Sequence, residues 1–276
     1  MGERNWTYVK LMFPNAKLLD TAVTALGDSD GFGEIRRSTP WFFLRYVDYY
    51  GPQLRLRLQA ESANRLSYVR WAQAFYKDLL SADARAPRVE ANRVPGRVGF
   101  DVASYQPEIT KYGSIACVEL VEDLWSAQCE DVIGYWQSPN TKSRRVETFA
   151  MISKDVMAQL FGTEEMTSLC RMHGWYWIRS TTPSQPGAKK FMELIEAIDR
   201  TDTHSHGSLN AALADSVVDT VARLTQLPGA RLEPNYAFNL LHILANRLGL
   251  APVEEGLVML AHARQFERRR AMESAL

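Results

Sequence analysis

The sequence predicts an α+β fold, with an antiparallel sheet in the N-terminal part and several packed helices in the C-terminal part. Three segments of β character lie early in the chain, at 6–13, 41–48 and 53–59, and contain aromatic, β-branched or alternating apolar residues. Helical spacing of apolar residues dominates from residue 114 onward. This order of sheet first and helices later favours an α+β fold over a parallel α/β fold.

Local patterns define the remaining elements. Residues 49–52 (YYGP) predict a turn that joins the second and third strand segments in a hairpin, and residues 88–101 predict a broken β-like stretch. Helices are predicted at 62–80, 114–136, 148–161, 163–179, 191–200, 208–226, 236–248 and 252–269, with a loop at 180–189. Because no shift in composition marks a boundary, we expect a single domain over residues 1–276.

Composition argues against several classes of protein. Lys and Arg number 32, as do Asp and Glu, and this zero net charge argues against a DNA or tRNA partner. Apolar runs fall far short of the roughly 18 residues of a membrane span, and the N-terminus has no signal core, so we expect a cytoplasmic protein without a membrane partner. Cys117, Cys129 and Cys170 form no CxxC pair, which favours buried free thiols in a reducing compartment.

Motifs for cofactors and metals are missing from the sequence. It contains no GxxxxGK[ST], GxGxxG, HExxH or GxSxG motif. Residues 28–31 (DSDG) look like the start of a calcium loop, but Phe32 occupies the next ligand position, so a solvated turn is expected. His204 and His206 have no accompanying pattern of carboxylates. We therefore expect neither a cofactor nor a metal.

The alternating segment QLRLRLQ at 53–59 is the most informative part of the sequence. On a strand, its leucines share one face, and Gln53, Arg55, Arg57 and Gln59 share the other. Two arginines two positions apart hold their guanidinium groups about 7 Å from each other. Such a pair suits a carboxylate, a phosphate or a developing oxyanion. An ordinary sheet with one solvated face explains the same pattern.

Two further segments carry polar residues at helical spacing. In YQPEITKYG at 105–113, Glu108 and Lys111 lie three residues apart, and one helical turn would make them neighbours, either as a surface ion pair or as an oriented acid or base. In YAFNLLHILANRLG at 236–249, Asn239, His242 and Asn246 share one stripe of a helix. His242 is a candidate for proton transfer, with a core histidine as the alternative.

Together, these segments resemble the C-terminal domain of lantibiotic dehydratases. The motifs WFFLRY, GPxLRLRL, YxPEIxxYG and HxxxNRL occur in that order over nearly the whole chain. In that family, the active site uses two arginines of the LRLR strand, a glutamate and an arginine of a PExxR segment, and a late histidine. The resemblance assigns these roles to Arg55, Arg57, Glu108, Lys111 and His242. Lysine at 111 is not equivalent to the arginine of the family at a bidentate site.

The resemblance implies an enzyme that acts on a ribosomally synthesised precursor peptide with a leader, alongside other enzymes of the pathway. In the family, this domain eliminates glutamate from glutamylated Ser and Thr. Free-standing relatives in thiopeptide pathways either do the same or are pyridine synthases, which join two dehydroalanines by a formal [4+2] cycloaddition and release water and the leader peptide. We expect this chain to be free-standing. Gln53, Lys111 and Ser114 depart from the motifs of the family, which favours the pyridine synthase.

A noncatalytic escort for the precursor peptide is the alternative from a different class. For the enzyme, we expect Arg55, Arg57 and His242 to line one cavity sized for a peptide. The expected catalytic residues are Arg55, Arg57, Glu108, His242, Tyr105 and Tyr236, and the expected substrate-binding residues are Gln53, Lys111, Tyr112, Asn239 and Asn246.

Overall fold

The computed structural model describes residues 4–48, 51–59, 63–82, 98–138, 141–179, 198 and 208–273. The predicted turn residues 49–50, the loop at 180–189, most of the helix at 191–200, and His204 and His206 lie outside the described residues. The chain forms two compact units. The first comprises Met1–Glu108 and Val121–Pro139, and the second comprises Ile109–Leu120 and Asn140–Leu276. The single domain remains a prediction.

The first unit contains a four-stranded antiparallel sheet, as predicted. Its strands are β1 (Trp6–Met12), β2 (Trp41–Asp48), β3 (Gly51–Gln59) and β4 (Gly99–Ala103), in the order β2-β3-β1-β4. Asp48 lies opposite Gly51 in the ladder, which confirms the hairpin between β2 and β3. Of the β-like stretch predicted at 88–101, residues 88–97 lie outside the described part and residues 99–101 belong to β4.

The faces of β3 follow the predicted alternation, but both are covered. Leu54, Leu56 and Leu58 are at most 1% exposed and belong to the core. On the opposite face, Gln53 and Arg57 are only 2% and 6% exposed. The ordinary solvated face is therefore excluded at these two positions, and Arg57 carries its charge into the interior of the first unit.

Helices α1 (Ala16–Asp28) and α2 (Asp30–Ser38) were not predicted from the sequence. Asn15 caps α1 by accepting a hydrogen bond from the Leu18 amide at 2.9 Å. Ser29 caps α2 in the same way, accepting from the Phe32 amide at 3.4 Å. Residues 28–31 are therefore a junction between two helices. Further along the first unit, α3 (Arg65–Ala82) agrees with the helix predicted at 62–80.

The single helix predicted at 114–136 is wrong. The structure has two helices there, α5 (Ile115–Ala127) and α6 (Cys129–Gln137), which follow the short α4 (Ile109–Tyr112). The break falls at Gln128, whose backbone stays in the right-handed region with φ −76° and ψ −9°. Neither glycine nor proline marks this position, so the sequence gives no local signal for the break.

The second unit is helical. Its longer helices are α7 (Thr141–Leu160), α8 (Thr163–Ile178), α9 (Ser208–Leu224), α10 (Glu233–Leu248) and α11 (Pro252–Glu273), in agreement with the predicted helices at 148–161, 163–179, 208–226, 236–248 and 252–269. Within the described ranges, no helix has both the length and the apolar character needed to cross a bilayer.

Two glycines allow a close approach between α8 and α11. A Cβ atom on Gly174 would lie 2.7 Å from the carbonyl oxygen of Gly256, and a Cβ atom on Gly256 would lie 2.9 Å from that of Gly174. Real Cβ atoms do not approach backbone oxygens so closely. Glycine at both positions therefore allows α8 and α11 to come into backbone contact directly after His173 and Glu255.

We expect Gly174→Ala and Gly256→Ala each to lower the free energy of unfolding by about 1–3 kcal/mol, because the new methyl group must push the two helices apart. Gly134→Ala is the matched control, since an added Cβ at that site within α6 meets nothing within 4 Å. The control should be neutral or stabilising by up to about 1 kcal/mol. Urea unfolding measures the free energy of unfolding of all three variants. Equal values for the three would contradict the close contact between α8 and α11.

Candidate functional site

The first polar site is built around Arg57 on the sheet of the first unit. The strand register places Tyr8 of β1 and Phe42 of β2 on either side of Arg57, so the three side chains form a row across one face. The Arg57 Cζ lies 4.6 Å from the centre of the Tyr8 ring and 5.1 Å from that of Phe42. Tyr105, which follows β4, adds a third ring at 5.0 Å. We call these three aromatic residues and Arg57 the Arg57 cage.

A buried carboxylate holds Tyr105 in the Arg57 cage. The Tyr105 hydroxyl donates to Oε1 of Glu122 at 2.5 Å, and Nε1 of Trp6 donates to Oε2 at 3.0 Å. Glu122 is 2% exposed, and burial raises its pKa although the two hydrogen bonds oppose this shift. Burial, together with the bond to Glu122, raises the pKa of Tyr105, which keeps this phenol protonated and able to donate.

The guanidinium of Arg57 can donate further hydrogen bonds to an acceptor. Among the described residues, its Nε and Nη1 groups are buried and have no hydrogen-bond partner. Burial lowers the pKa of Arg57, while Tyr8, Tyr105 and Glu108 act to raise it. An arginine stays protonated at neutral pH even so. The three rings stabilise the cation without using its N–H groups, which leaves donors for a carboxylate or an amide oxygen.

Two other predicted residues of the first unit, Arg55 and Glu108, lie nearer the surface than Arg57. Arg55 is half-buried, its Cζ lies 3.4 Å from the centre of the Tyr46 ring, and its Nε donates to Oε1 of Gln53 at 3.2 Å. Glu108 is exposed. The structure thus brings Gln53, Arg55 and Arg57 together on one face of β3, next to Tyr105.

The second polar site joins three helices of the second unit. Oε1 of Glu255 on α11 lies 2.6 Å from Nε2 of His173 on α8. Oε2 of Glu255 lies 2.8 Å from Nδ1 of His242 on α10. These are hydrogen-bond distances, so one carboxylate links two imidazoles. We call His173, Glu255 and His242 the His242 chain.

Burial differs along the His242 chain. The side chains of His173 and Glu255 are 3% and 2% exposed, whereas that of His242 is 21% exposed. Burial acts to raise the pKa of Glu255, but the hydrogen bonds and charges of His173 and His242 outweigh it and hold the pKa below its ordinary value. Trp177 stacks on His242, with ring centres 4.1 Å apart and planes 20° apart. His242 is therefore an oriented imidazole with a partly open side.

Tyr236 is fully buried, and its hydroxyl forms hydrogen bonds to the backbone of two segments, at Arg231 and at Tyr112. Its hydroxyl accepts from the Arg231 amide at 2.7 Å and lies 3.0 Å from the carbonyl oxygen of Tyr112, to which it donates. Gly113 follows with φ +101°, and a Cβ atom there would lie 2.1 Å from the carbonyl oxygen of Gly229. This crowding explains the glycine that ends the YxPEIxxYG segment.

The remaining predicted residues of the second unit, Lys111, Asn239 and Asn246, are partly exposed. Lys111 is half-buried, with its Nζ 5.3 Å from the centre of the Tyr112 ring. Asn239 and Asn246 are half-buried on the same stripe of α10 as His242. Glu108 and Lys111 belong to different units, so their ion pair remains a prediction, as does a cavity shared by the arginines and His242.

Sequence reasoning missed Glu122, Glu255 and His173. Each acts on a residue far away in the chain, and no spacing rule connects Glu122 to Tyr105 or His173 to Glu255. Glu255 looks like an ordinary acidic residue in the first turn of a helix. The only available signal was the dipeptide pattern of His173-Gly174 and Glu255-Gly256, in which a polar residue precedes the glycine of a close helix contact.

We expect Arg57→Met to leave the melting temperature unchanged or to raise it. The substitution keeps an unbranched apolar stem and removes a buried cation, and such replacements are often neutral or stabilising. Arg37→Met on the exposed side of α2 is the control and should change stability by less than about 0.5 kcal/mol. Calorimetry of both variants checks this. A loss of more than about 2 kcal/mol in the Arg57 variant would contradict a guanidinium whose Nε and Nη1 have no hydrogen-bond partner in the described part of the chain.

Comparison with known proteins gives the family of the chain. Residues 6–265 match the family described as the C-terminal part of the lantibiotic biosynthesis dehydratase. No curated protein sequence matches this one.

Three solved structures have a similar fold at low sequence identity. The pyridine synthase TbtD from thiomuracin biosynthesis is 14% identical, with a TM-score of 0.66 over 98% of this chain and 100% of its own. TsrL is 14% identical, with a TM-score of 0.62 over 98% of this chain and 96% of its own. The tRNA-dependent lantibiotic dehydratase MibB from Microbispora sp. 107891 is 18% identical, with a TM-score of 0.58 over 98% of this chain and 29% of its own. Because the family match extends over nearly the whole length of this chain, the chain belongs to the lantibiotic dehydratase C-terminal domain family.

Proposed function

We propose that this chain is a pyridine-forming enzyme of thiopeptide maturation. It joins two dehydroalanines of a ribosomal precursor peptide by a formal [4+2] cycloaddition, after which water and the leader peptide are lost. The observation that carries this proposal is the buried guanidinium of Arg57, which has donors without partners among the described residues and lies inside an aromatic cage. A fixed cation in a water-poor setting is suited to a backbone carbonyl that gains negative charge during reaction.

The neighbours of Arg57 supply the other groups that the reaction needs. Arg55 adds a second, half-buried cation on the same face of β3, where it can position a peptide carbonyl or carboxylate. Tyr105 holds the charged Arg57 in place with its ring, since its one hydroxyl proton is donated to Glu122. Glu108 is exposed and can exchange protons with a bound peptide. Gln53 holds Arg55 through the bond to its Nε.

In the second unit, His242 is the proposed group for proton transfer. Its imidazole is oriented by Glu255 and is 21% exposed at the side chain. Asn239 and Asn246 flank it on α10 and are proposed to contact the peptide, as is Lys111. Tyr236 and Tyr112 contribute through the buried bond between the hydroxyl of the former and the carbonyl oxygen of the latter.

The choice of cyclisation over glutamate elimination is supported by the departures from the family motifs. Lys111 replaces an arginine, which removes a planar bidentate group suited to the carboxylate of a glutamyl ester. Similarity to the pyridine synthase TbtD extends over that whole protein. Glutamate elimination is the second candidate, because the Arg57 cage would equally hold a carboxylate or an oxyanion. The proposed partners are the leader-bearing precursor and other enzymes of a cytoplasmic pathway.

Two substrates distinguish the candidate reactions. We expect a leader-bearing peptide with several dehydroalanines to lose its leader and to gain a pyridine chromophore, as measured by mass spectrometry and ultraviolet absorbance. A glutamylated precursor should be returned unchanged. Release of glutamate from the second peptide, with the first left intact, would replace cyclisation with elimination.

Arg57→Met should reduce the rate of this conversion by about 100-fold or more, the scale seen when one donor to a developing oxyanion is removed. Arg37→Met on α2 is the control and should convert the peptide at the parent rate. If the parent protein and both variants bind the peptide but none of them converts it, the chain is a noncatalytic escort.

A further inference from the structure

A buried carboxylate in the second unit determines more than the orientation of His242. Glu255 is buried, and both of its oxygens are used by imidazoles, Oε1 by Nε2 of His173 and Oε2 by Nδ1 of His242. Its neighbours hold its pKa below the ordinary value, so it is ionised at neutral pH. An ionised carboxylate only accepts hydrogen bonds, so each contacting nitrogen carries a proton.

We propose that Glu255, held in turn by His173, is a positioning residue that keeps the proton of neutral His242 on Nδ1 and leaves Nε2 as the proton acceptor. A neutral imidazole has one N–H group, so donation from Nδ1 leaves a lone pair on Nε2. The tautomer follows from the hydrogen-bond network of the second unit alone. The catalytic consequence rests on the proposed function.

His173 and the tight helix contact anchor the carboxylate. Gly174 and Gly256 directly follow His173 and Glu255, and their backbones approach so closely that a side chain on either would collide with the other helix. This contact fixes the separation of α8 and α11 where the two polar side chains meet. Glu255 is thereby held from one side by His173, and its second oxygen is fixed for His242.

The ring of His242 is fixed in orientation as well as in tautomer. Trp177 stacks on it at 4.1 Å with an angle of 20° between the planes, which opposes rotation of the imidazole away from Glu255. In the proposed step, the lone pair on Nε2 forms a bond to a proton of the peptide. The electron pair of the broken bond stays on the peptide, and the resulting imidazolium is stabilised by the negative charge of Glu255.

Nitrogen-15 NMR of the histidines tests the tautomer without reference to any substrate. At about pH 8, where an ordinary histidine is neutral, we expect the His242 signals to show a protonated Nδ1 and an unprotonated Nε2, with His242→Gln used for assignment. In Glu255→Gln, the amide can donate to Nδ1, so the proton should move to Nε2 in a large fraction of molecules. A parent protein with its proton on Nε2 would overturn the proposal.

Kinetics with the dehydrated peptide test the catalytic consequence. Glu255→Gln should lower kcat by about 10- to 100-fold, which is less than the roughly 100- to 10,000-fold contribution of a proton-transfer group because His242 itself remains, with little change in KM. Glu254→Gln is the matched control, since that half-buried neighbour accepts from the Ala251 amide, a bond that a glutamine oxygen can also accept. The control should leave kcat and the tautomer unchanged. An unchanged kcat in Glu255→Gln overturns the positioning role even where the tautomer is as expected.

Variants of His173 keep the proposal testable if the Glu255 variant folds poorly. His173→Gln retains an N–H donor to Glu255 and should restore much of the kcat that His173→Leu loses, together with the Nδ1–H signal of His242. Equal kcat and equal spectra in the two variants would show that His173 does not act on His242 through Glu255. If the parent protein shows the expected tautomer but converts no peptide, the proposed function fails while the tautomer stands.

Discussion

The central constraint in the first unit is a cation buried in a sheet face. Burial of Arg57 costs free energy, and three aromatic rings offset part of this cost without pairing the N–H groups. The rest of the local structure serves this arrangement. The antiparallel register brings Tyr8 and Phe42 beside Arg57, and Glu122 on α5 holds Tyr105 over it. A stable core alone would be better served by an apolar residue at position 57.

The two units share one arrangement, in which a buried carboxylate orients a functional side chain. A buried carboxylate, Glu255, orients a partly exposed side chain, as Glu122 does in the first unit. In both cases, the carboxylate comes from a helix and uses each oxygen for a different donor. The partly exposed member of each network, His242 or Tyr105, is thereby held in one orientation. Such pre-organisation reduces the rearrangement that would otherwise accompany charge development in a reaction.

Sequence reasoning succeeded where a short repeat controls the structure. The alternation of 53–59 gave the faces of β3, and helical spacing gave α7 to α11 with end errors of a few residues in most cases. It failed for α1 and α2, whose caps Asn15 and Ser29 were overlooked, and for the break at Gln128, which no glycine or proline marks. Glu122, His173 and Glu255 could not be found, because their partners are set by tertiary packing and not by spacing along the chain.

Lysine at position 111, where the family has arginine, can be interpreted in terms of hydrogen-bond geometry. Arginine offers a planar pair of donors that matches a carboxylate, whereas lysine offers a point charge on a flexible stem. Arg57 and Arg55 retain the planar group, and both lie on β3. Elimination of glutamate would require a carboxylate to be held at its leaving oxygen, a task for bidentate donors. Cyclisation instead requires carbonyl oxygens to be polarised and a long peptide to be folded, and a mobile ammonium group is compatible with those tasks. The replacement at Lys111 therefore favours the proposed cyclisation, whereas the retained Arg55 and Arg57 suit either reaction.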